Sequence, residues 1–387
     1  MTPPFAIPLS GWADAQLAAM AAFTTSSRLT AVSGTMLLGE RAALNGFVIP
    51  GRHSCGGGCR LFDTRDAPVA LTLARPDDRT LLPALFGDAS VDPDDNGDIA
   101  QRLRRESAAD IVARGRVLGL AMAALDEHPV SPAATITAQG LPAAPATGLP
   151  LVIDLSALWA GPLAAHLLDM SGAQVIKVES VNRPDRMRQG DPALFARLNQ
   201  DKANVALDLR QSADRDALIA LIRRADIVIE AARPRALLQL GIDADRLVTE
   251  TPGLVWVTIT GHGAAGDAAQ WIGFGDDCSV GGGLSAALHT ATGATGFGGD
   301  ACADPLTGIY AARAALTQRT RGVGARLILS MSGIVAEALS NEGEETLQAM
   351  LIHWAASVGQ PFPAVPGRIA GSVAALGADT AAWLASC

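Results

Sequence analysis

Short apolar runs alternate with segments of helical spacing between residues 151 and 330. Leu151-Val-Ile-Asp-Leu155, Gln174-Val-Ile-Lys-Val178, Val205-Ala-Leu-Asp-Leu209, Asp226-Ile-Val-Ile-Glu230 and Leu254-Val-Trp-Val-Thr-Ile259 read as strands. Their near-continuous apolar character fits strands buried on both faces, as in a parallel sheet. Four helices are predicted among them. Gly161 to Met170 carries a proline in its first turn, where the lost N–H costs nothing. Asp214 to Arg224 lines up Ala217, Leu218, Leu221 and Ile222 on one side. Pro234 to Leu240 is stopped by Gly241. Leu306 to Leu316 is rich in alanine. Such alternation predicts an α/β fold, a doubly wound parallel sheet, with ligands just past the carboxyl ends of its strands.

The flanks have other patterns. Residues 1–140 read as a smaller α+β module, with a helix over Trp12 to Thr30, strands at Arg60 to Phe62 and Val69 to Leu73, and a mainly helical stretch from Ile99 to Leu125. Residues 141–150, rich in Pro, Ala and Gly, read as a linker. Residues 331–387 form a C-terminal helical segment, with a helix over Ile334 to Leu347 and a last one near Thr380.

Composition narrows the function classes. The chain has 387 residues, 49% of them hydrophobic, and a formal net charge of −9. Length gives a soft expectation of two domains. An acidic chain offers no basic surface for nucleic acid and no polybasic patch for a membrane. No apolar stretch of about twenty residues marks a spanning helix, and Met-Thr-Pro-Pro-Phe lacks a positive signal-peptide region. Five cysteines, an odd and small number, fit a reducing cytosol. The expected location is cytoplasmic.

Several motifs carry candidate chemistry. Gly261-His-Gly-Ala-Ala-Gly266 matches the dinucleotide fingerprint G-x-G-x-x-G after a strand, but the following residues are glycine-broken and no acid closes a second strand. His53, Cys55 and Cys59 offer three ligand types but no fourth partner at zinc spacing, so no metal is expected. Gly56-Gly57-Gly58 reads either as an ordinary loop or as a cover for an active site. Asp276-Asp277 and the pair Asp300 and Asp304 are carboxylates among glycines. At a helix start a carboxylate is commonly an N-cap; it can also be a nucleophile beside amides that steady an oxyanion. Lysine occurs only at Lys177 and Lys202, and tyrosine only at Tyr310.

Five blocks add a resemblance. Val152 to Glu179 (Val-Ile-Asp-Leu-Ser, Ala-Gly-Pro, Gly-Ala-Gln-Val-Ile-Lys-Val-Glu), Asp185-Arg-Met-Arg188, Lys202 to Arg210, Glu230 to Gly241 and Asp304-Pro-Leu-Thr-Gly-Ile-Tyr310 resemble, in order, the family III CoA-transferases. That group includes formyl-CoA transferase, carnitine CoA-transferase and α-methylacyl-CoA racemase. Both lysines and the tyrosine fall inside these blocks. The resemblance implies a Rossmann-like CoA-binding domain over 151–330, a homodimer of interlocked chains, and Asp304 as nucleophile. It implies catalytic help from the Gly56, Gly57 and Gly58 loop. CoA contacts are implied at Trp159, Ala160, Arg188, Leu207, Arg210, Ala231, Ala232 and Arg233. Coenzyme A or acyl-CoA enters as a substrate, with no tightly bound cofactor, and a carboxylic acid is the second partner.

The chain departs from the family pattern in four places. Glu230-Ala231-Ala232 stands where the family has Glu-Asn-Phe. Ser180 follows Val178-Glu179 where transferases can carry arginine. Phe274-Gly-Asp-Asp277 lacks the racemase histidine. The glycine loop and small-domain-like text precede the Rossmann-like part, a rearranged order. Three functions stay open: CoA transfer through an aspartyl anhydride and thioester at Asp304; isomerisation of a 2-methylacyl-CoA by Asp304 with Asp276 or His262; and acyl-CoA binding by a degenerate relative.

Overall fold

The structure, a computed structural model, describes residues 6–143 and 148–385. Among the described residues, ten strands form two sheets. Three belong to a small antiparallel sheet in the order β1-β2-β3: β1 (Cys59–Phe62), β2 (Val69–Thr72) and β3 (Ala121–Ala124). The other seven are β4 (Ala134–Pro142), β5 (Leu151–Asp154), β6 (Gln174–Ser180), β7 (Ala203–Leu207), β8 (Ile227–Glu230), β9 (Val255–Thr260) and β10 (Val323–Ser330). They form one sheet in the order β4-β10-β9-β8-β5-β6-β7, parallel except for β4.

Side chains alternate across this sheet. Val152, Ile227, Ile229, Val255, Val257 and Ile259 face one helical layer. Ile153, Ile176, Val205, Val228 and Trp256 face the other, packed by helices Ser212–Ile222 and Ala244–Glu250. Burial on both faces explains the apolar runs. The first layer contains α1 (Ser10–Ala21), α2 (Gly34–Asn45), α3 (Ala160–Met170), α4 (Gly275–Gly281) and α5 (Ala303–Thr320). The chain leaves β5 toward β6 and β7, then returns to build β8 on the opposite side of β5. A crevice opens where the winding direction reverses, past the carboxyl ends of β5 and β8.

The doubly wound α/β expectation stands, and several boundaries move. Residues 6–140 do not fold as one module. α1 and α2 pack into the large core, while Phe62, Val69, Leu71, Leu82, Leu85, Ile99, Ile111 and Met122 build a separate core on the small sheet. The predicted helix over Trp12 to Thr30 is broken, with Ser27–Thr30 a separate turn. The stretch Ile99 to Leu125 ends in β3, because Gly119 takes a left-handed conformation after helix Ala108–Leu118. Residues 141 and 142 close β4 rather than starting a linker, and 144–147 lie outside the described residues.

The C-terminal segment is less helical than expected. The helix over Ile334 to Leu347 divides into Met331–Asn341 and Glu344–Ala356. Beyond residue 360 the chain runs extended across the molecule. It is fastened by a buried Arg368–Glu40 ion pair at 2.5 Å. It ends in helix Thr380–Leu384, which covers the edge of β7 through Thr380 Oγ1 accepting from the Ala206 N–H at 3.0 Å.

Candidate active site

The two lysines show how the crevice is shaped. Lys202 Nζ is buried and donates to Asp154 Oδ2 at 2.8 Å, to the Pro162 carbonyl at 2.9 Å and to Asn199 Oδ1 at 3.1 Å. Lys177 Nζ donates to the Ser156 carbonyl at 3.0 Å and pairs with Asp185 at 3.0 Å. Asp154 ends β5, so both ammonium groups bind the β5–α3 turn to neighbouring strands. A compact point charge with three donors suits these crowded positions better than a guanidinium fork. Their role is to fix the turn, and they do not line the cavity.

That turn forms one wall of a cavity of about 290 Å³ in the crevice. Ala157, Leu158, Ala160 and Gly161 follow β5; Ala231, Ala232 and Arg233 follow β8; Thr260 ends β9, and Gly261 and Gly263 follow it. Trp271, Ile272, Phe274 and Met331 add apolar surface, Arg75 and Gln270 polar surface. Asp304 lines the same cavity.

Asp304 lies in the first turn of α5, but it does not cap it. The N-cap is Cys302, whose side chain makes no capping bond, and the Ala303 N–H donates to Ser279 Oγ at 3.0 Å. The carboxyl instead shares the cavity with the start of α3, where the Ala160 N–H favours its ionised form. A helix N-terminus presents free N–H groups and positive potential to an anion. On its other side lies Gly275. A Cβ at that position would drive into Asp304 Oδ2 and the Ala301 carbonyl oxygen, so only glycine lets the carboxyl sit there. Ala301 holds a left-handed φ of 45°, uncommon for a residue with a Cβ, and its N–H is held by Asp276 Oδ1 at 3.1 Å.

Burial raises the proton affinity of this region. It pushes Asp304 up to about 7; Arg41 opposes the shift, and Asp276 and Asp300 add to it. Asp300 is likewise pushed up to about 7 by burial, although Arg41 Nη1 donates to it at 2.9 Å. Asp276 is raised by burial against the pull of Arg41. Asp277 is not part of this group. It accepts from the Phe274 N–H at 3.0 Å and from Thr72 Oγ1 at 2.9 Å, tying α4 to β2. Asp276 and Asp277 are therefore neighbours in sequence with separate tasks.

The resemblance-derived positions divide into two sets. Asp304, Ala160, Ala231, Ala232 and Arg233 converge on the cavity. Trp159 is buried beside them, with the Arg41 guanidinium over its ring at 5.4 Å. Arg188 is spent on Glu179, at 2.5 Å from Nη2, and stacks on Phe195. Leu207 is buried in the apolar layer of the sheet, so its side chain is not available to a ligand. Arg210 is exposed and bonded to Asp208 and Asn182 beyond the end of β7. Gly56, Gly57 and Gly58 are not among the described residues that line the cavity; Gly56 instead abuts Arg41.

His262 and Asp276 are not among the described residues that line the cavity. His262, Asp277 and Cys278 do bring three ligand-type atoms within 4.8 Å of one another. Burial holds all three toward their neutral forms: it lowers His262 to about 3, raises Asp277 to about 7 and raises the Cys278 thiol. His53 packs on Arg60, Cys55 donates to the Val48 carbonyl and Cys59 is buried in β1, so this trio points to separate neighbours.

Sequence reasoning passed over Arg41, Arg75, Gly275 and Trp271. Gly275 and Trp271 lie in the glycine-broken stretch after Gly261-His-Gly-Ala-Ala-Gly266. That motif runs into a 3₁₀ turn, Gly266–Gln270, rather than a helix, and Gly261 and Gly263 line the cavity wall.

Comparison with known proteins assigns the family. Residues 150–353 match the model of CoA-transferase family III. The acetyl-CoA:oxalate CoA-transferase of Acetobacter aceti is 29% identical over 208 residues, covering 51% of this chain and 53% of that protein. The succinate–glutarate CoA-transferase of Agrobacterium fabrum is 30% identical over 208 residues, covering 49% and 52%. The crystal structure of the hypothetical protein Rv3272 from Mycobacterium tuberculosis has a TM-score of 0.46 and 29% identity, covering 52% of this chain and 59% of that one. The chain spans about half the length of the curated relatives it matches. With more than half of its residues inside the family match, the protein belongs to CoA-transferase family III.

Proposed function

We propose that the protein transfers coenzyme A from an acyl-CoA thioester to a free carboxylic acid, with Asp304 as the nucleophile. One observation carries this reading: the Asp304 carboxyl lines the crevice cavity together with Ala160, Ala231, Ala232 and Arg233. A carboxylate oxygen attacks the thioester carbonyl carbon. The C–S bond breaks, and CoA leaves as thiolate, giving an acyl–aspartyl anhydride. The thiolate attacks the Asp304 carbonyl carbon, releases the donor acid and leaves an aspartyl–CoA thioester. An acceptor carboxylate then attacks that carbonyl, displacing the thiolate. The thiolate takes the acceptor acyl group, and Asp304 is restored. Splitting one exchange into such steps is covalent catalysis.

The site chemistry supports this sequence. The Ala160 N–H at the start of α3 faces the carboxyl, where a fixed donor steadies negative charge in the transition state. An aspartate raised toward 7 is a stronger base than an ordinary one when ionised. Arg233 at the cavity rim offers a guanidinium to phosphate oxygens. Coenzyme A enters this sequence as a substrate.

The test is an exchange assay. The protein is incubated with acetyl-CoA or succinyl-CoA and a panel of free acids, starting with the oxalate, succinate and glutarate that name the relatives. New thioesters are followed by mass. Wild type is expected to form them, and Asp304→Asn to lose turnover at least about a thousandfold while still binding CoA. CoA binding without turnover in wild type would point to a degenerate binding protein. α-Proton exchange without transfer would point to an isomerase.

A further inference from the structure

Arg41 comes from a part of the chain with no sequence motif. It stands on α2, far from α5 in sequence, and is mostly buried, with 21% of its side chain exposed. Its guanidinium donates to Asp300 Oδ1 at 2.9 Å and lies 5.4 Å from the Trp159 ring and 5.5 Å from the Phe47 ring. Space for it is left by Gly56, where a Cβ would come within 2.5 Å of Nη2. Three carboxyl groups share its field: Asp300, Asp276 and Asp304. Asp300 has its second oxygen, Oδ2, buried without a hydrogen-bond partner.

One cation among three carboxyls cannot neutralise them all. Each carboxyl ionised raises the cost of ionising the next, because like charges at a shared site repel. The nucleophile must be a carboxylate, so its ionised fraction depends on the share of Arg41's field it receives. We propose that Arg41 is a positioning residue for the nucleophile, favouring ionised Asp304, and that Asp300 competes with Asp304 for that field. This inference rests on the transferase reading for its consequence, but not for its measurement.

The surroundings are specific. Around Asp304 the charged and titratable groups are Arg41 from α2, Asp276 from α4, Asp300 from the loop before α5 and the Cys278 thiol from α4. Around Arg41 they are Asp300, Asp276, Asp304 and the Cys55 thiol. Asp300 also feels Asp191, at the start of helix Pro192–Asn199. Arg41 is the cation within this set, so its removal and the removal of Asp300 push Asp304 in opposite directions. A role confined to packing would not give opposite signs.

The experiment is an infrared titration of the whole protein without ligand. Spectra of each variant are recorded across pH, and those of the same variant carrying Asp304→Asn are subtracted. The difference isolates the Asp304 carboxyl. Arg41→Gln is expected to move its midpoint up by about one pH unit or more, Asp300→Asn to move it down, and Arg41→Lys to keep it near wild type. Midpoints that stay fixed, or that move the same way in Arg41→Gln and Asp300→Asn, overturn the proposal. Should Arg41→Gln fail to fold, the downward shift in Asp300→Asn and the midpoint in Arg41→Lys still decide it. Acylation of Asp304 is read separately. Shifting midpoints with no acylation would sink the transferase reading alone; acylation with fixed midpoints would sink the role of Arg41 alone.

Discussion

Replacing Asp304 by asparagine should stabilise the fold, and do so more as the pH rises. Burial lifts this carboxyl from 3.8 to about 7. The folded state therefore holds its proton where the unfolded chain has already released it, and stability falls as pH rises through that window. The gap from 3.8 to about 7 corresponds to at most about 4 kcal/mol. Asp304 borders a cavity and is only partly exposed, so water reduces this to about 2 kcal/mol. The loss begins near the unfolded value of 3.8 and is complete just above 7. Asparagine keeps the shape and removes the ionisation. Urea unfolding of both proteins across about pH 4 to 8 measures the effect. The difference between them should be small at the acid end, grow with pH and level off above about 7. Asp277, raised in the same way, is present in both proteins and largely cancels. A difference independent of pH, or one favouring wild type at the alkaline end, would refute the reasoning. A gain of this kind is the usual signature of a site that sacrifices stability for reactivity.

Other outcomes follow from neighbouring residues. Lys202→Met leaves Asp154 buried without its ammonium partner and should cost about 3 to 5 kcal/mol in chemical denaturation; Lys202→Met combined with Asp154→Leu should recover much of that. Gly275→Ala should displace the Asp304 carboxyl and remove at least about 90% of turnover, with circular dichroism showing the secondary structure retained. Arg233→Ala should raise KM for acyl-CoA about tenfold, equivalent to about 1.4 kcal/mol, with little change in kcat.

The parallel strands were legible in the sequence because burial on both faces leaves an apolar run with few alternatives. β5, β6, β8 and β9 all fall within about a turn's length of their expected positions. β4 was not legible. It is an exposed edge strand with a Gly140 interruption and a proline at its end, so local propensity argues against it and pairing with β10 decides it. The small sheet's β3, Ala-Met-Ala-Ala, reads as helix by composition and becomes strand through its pairing with β2.

The site divides along the same line. Asp304, Ala160 and Ala231 to Arg233 follow strands and helices in one continuous block pattern, so the resemblance reached them. Arg41 did not stand out, because its partner Asp300 is 259 residues away and nothing near either residue marks the pairing. Arg188 and Leu207 lie outside the cavity lining for a different reason. Their blocks match, but an ion pair with Glu179 and burial in the sheet commit their side chains elsewhere.

The most direct test is to trap the acyl group. Wild-type protein is mixed with succinyl-CoA or acetyl-CoA, quenched with hydroxylamine and digested, and its peptides are mapped by mass. A hydroxamate on Asp304, formed only when acyl-CoA is present and missing from Asp304→Asn, is the predicted result. Thioester exchange that proceeds while the peptide carrying residue 304 stays unmodified, or with the hydroxamate on another carboxyl, would contradict the account.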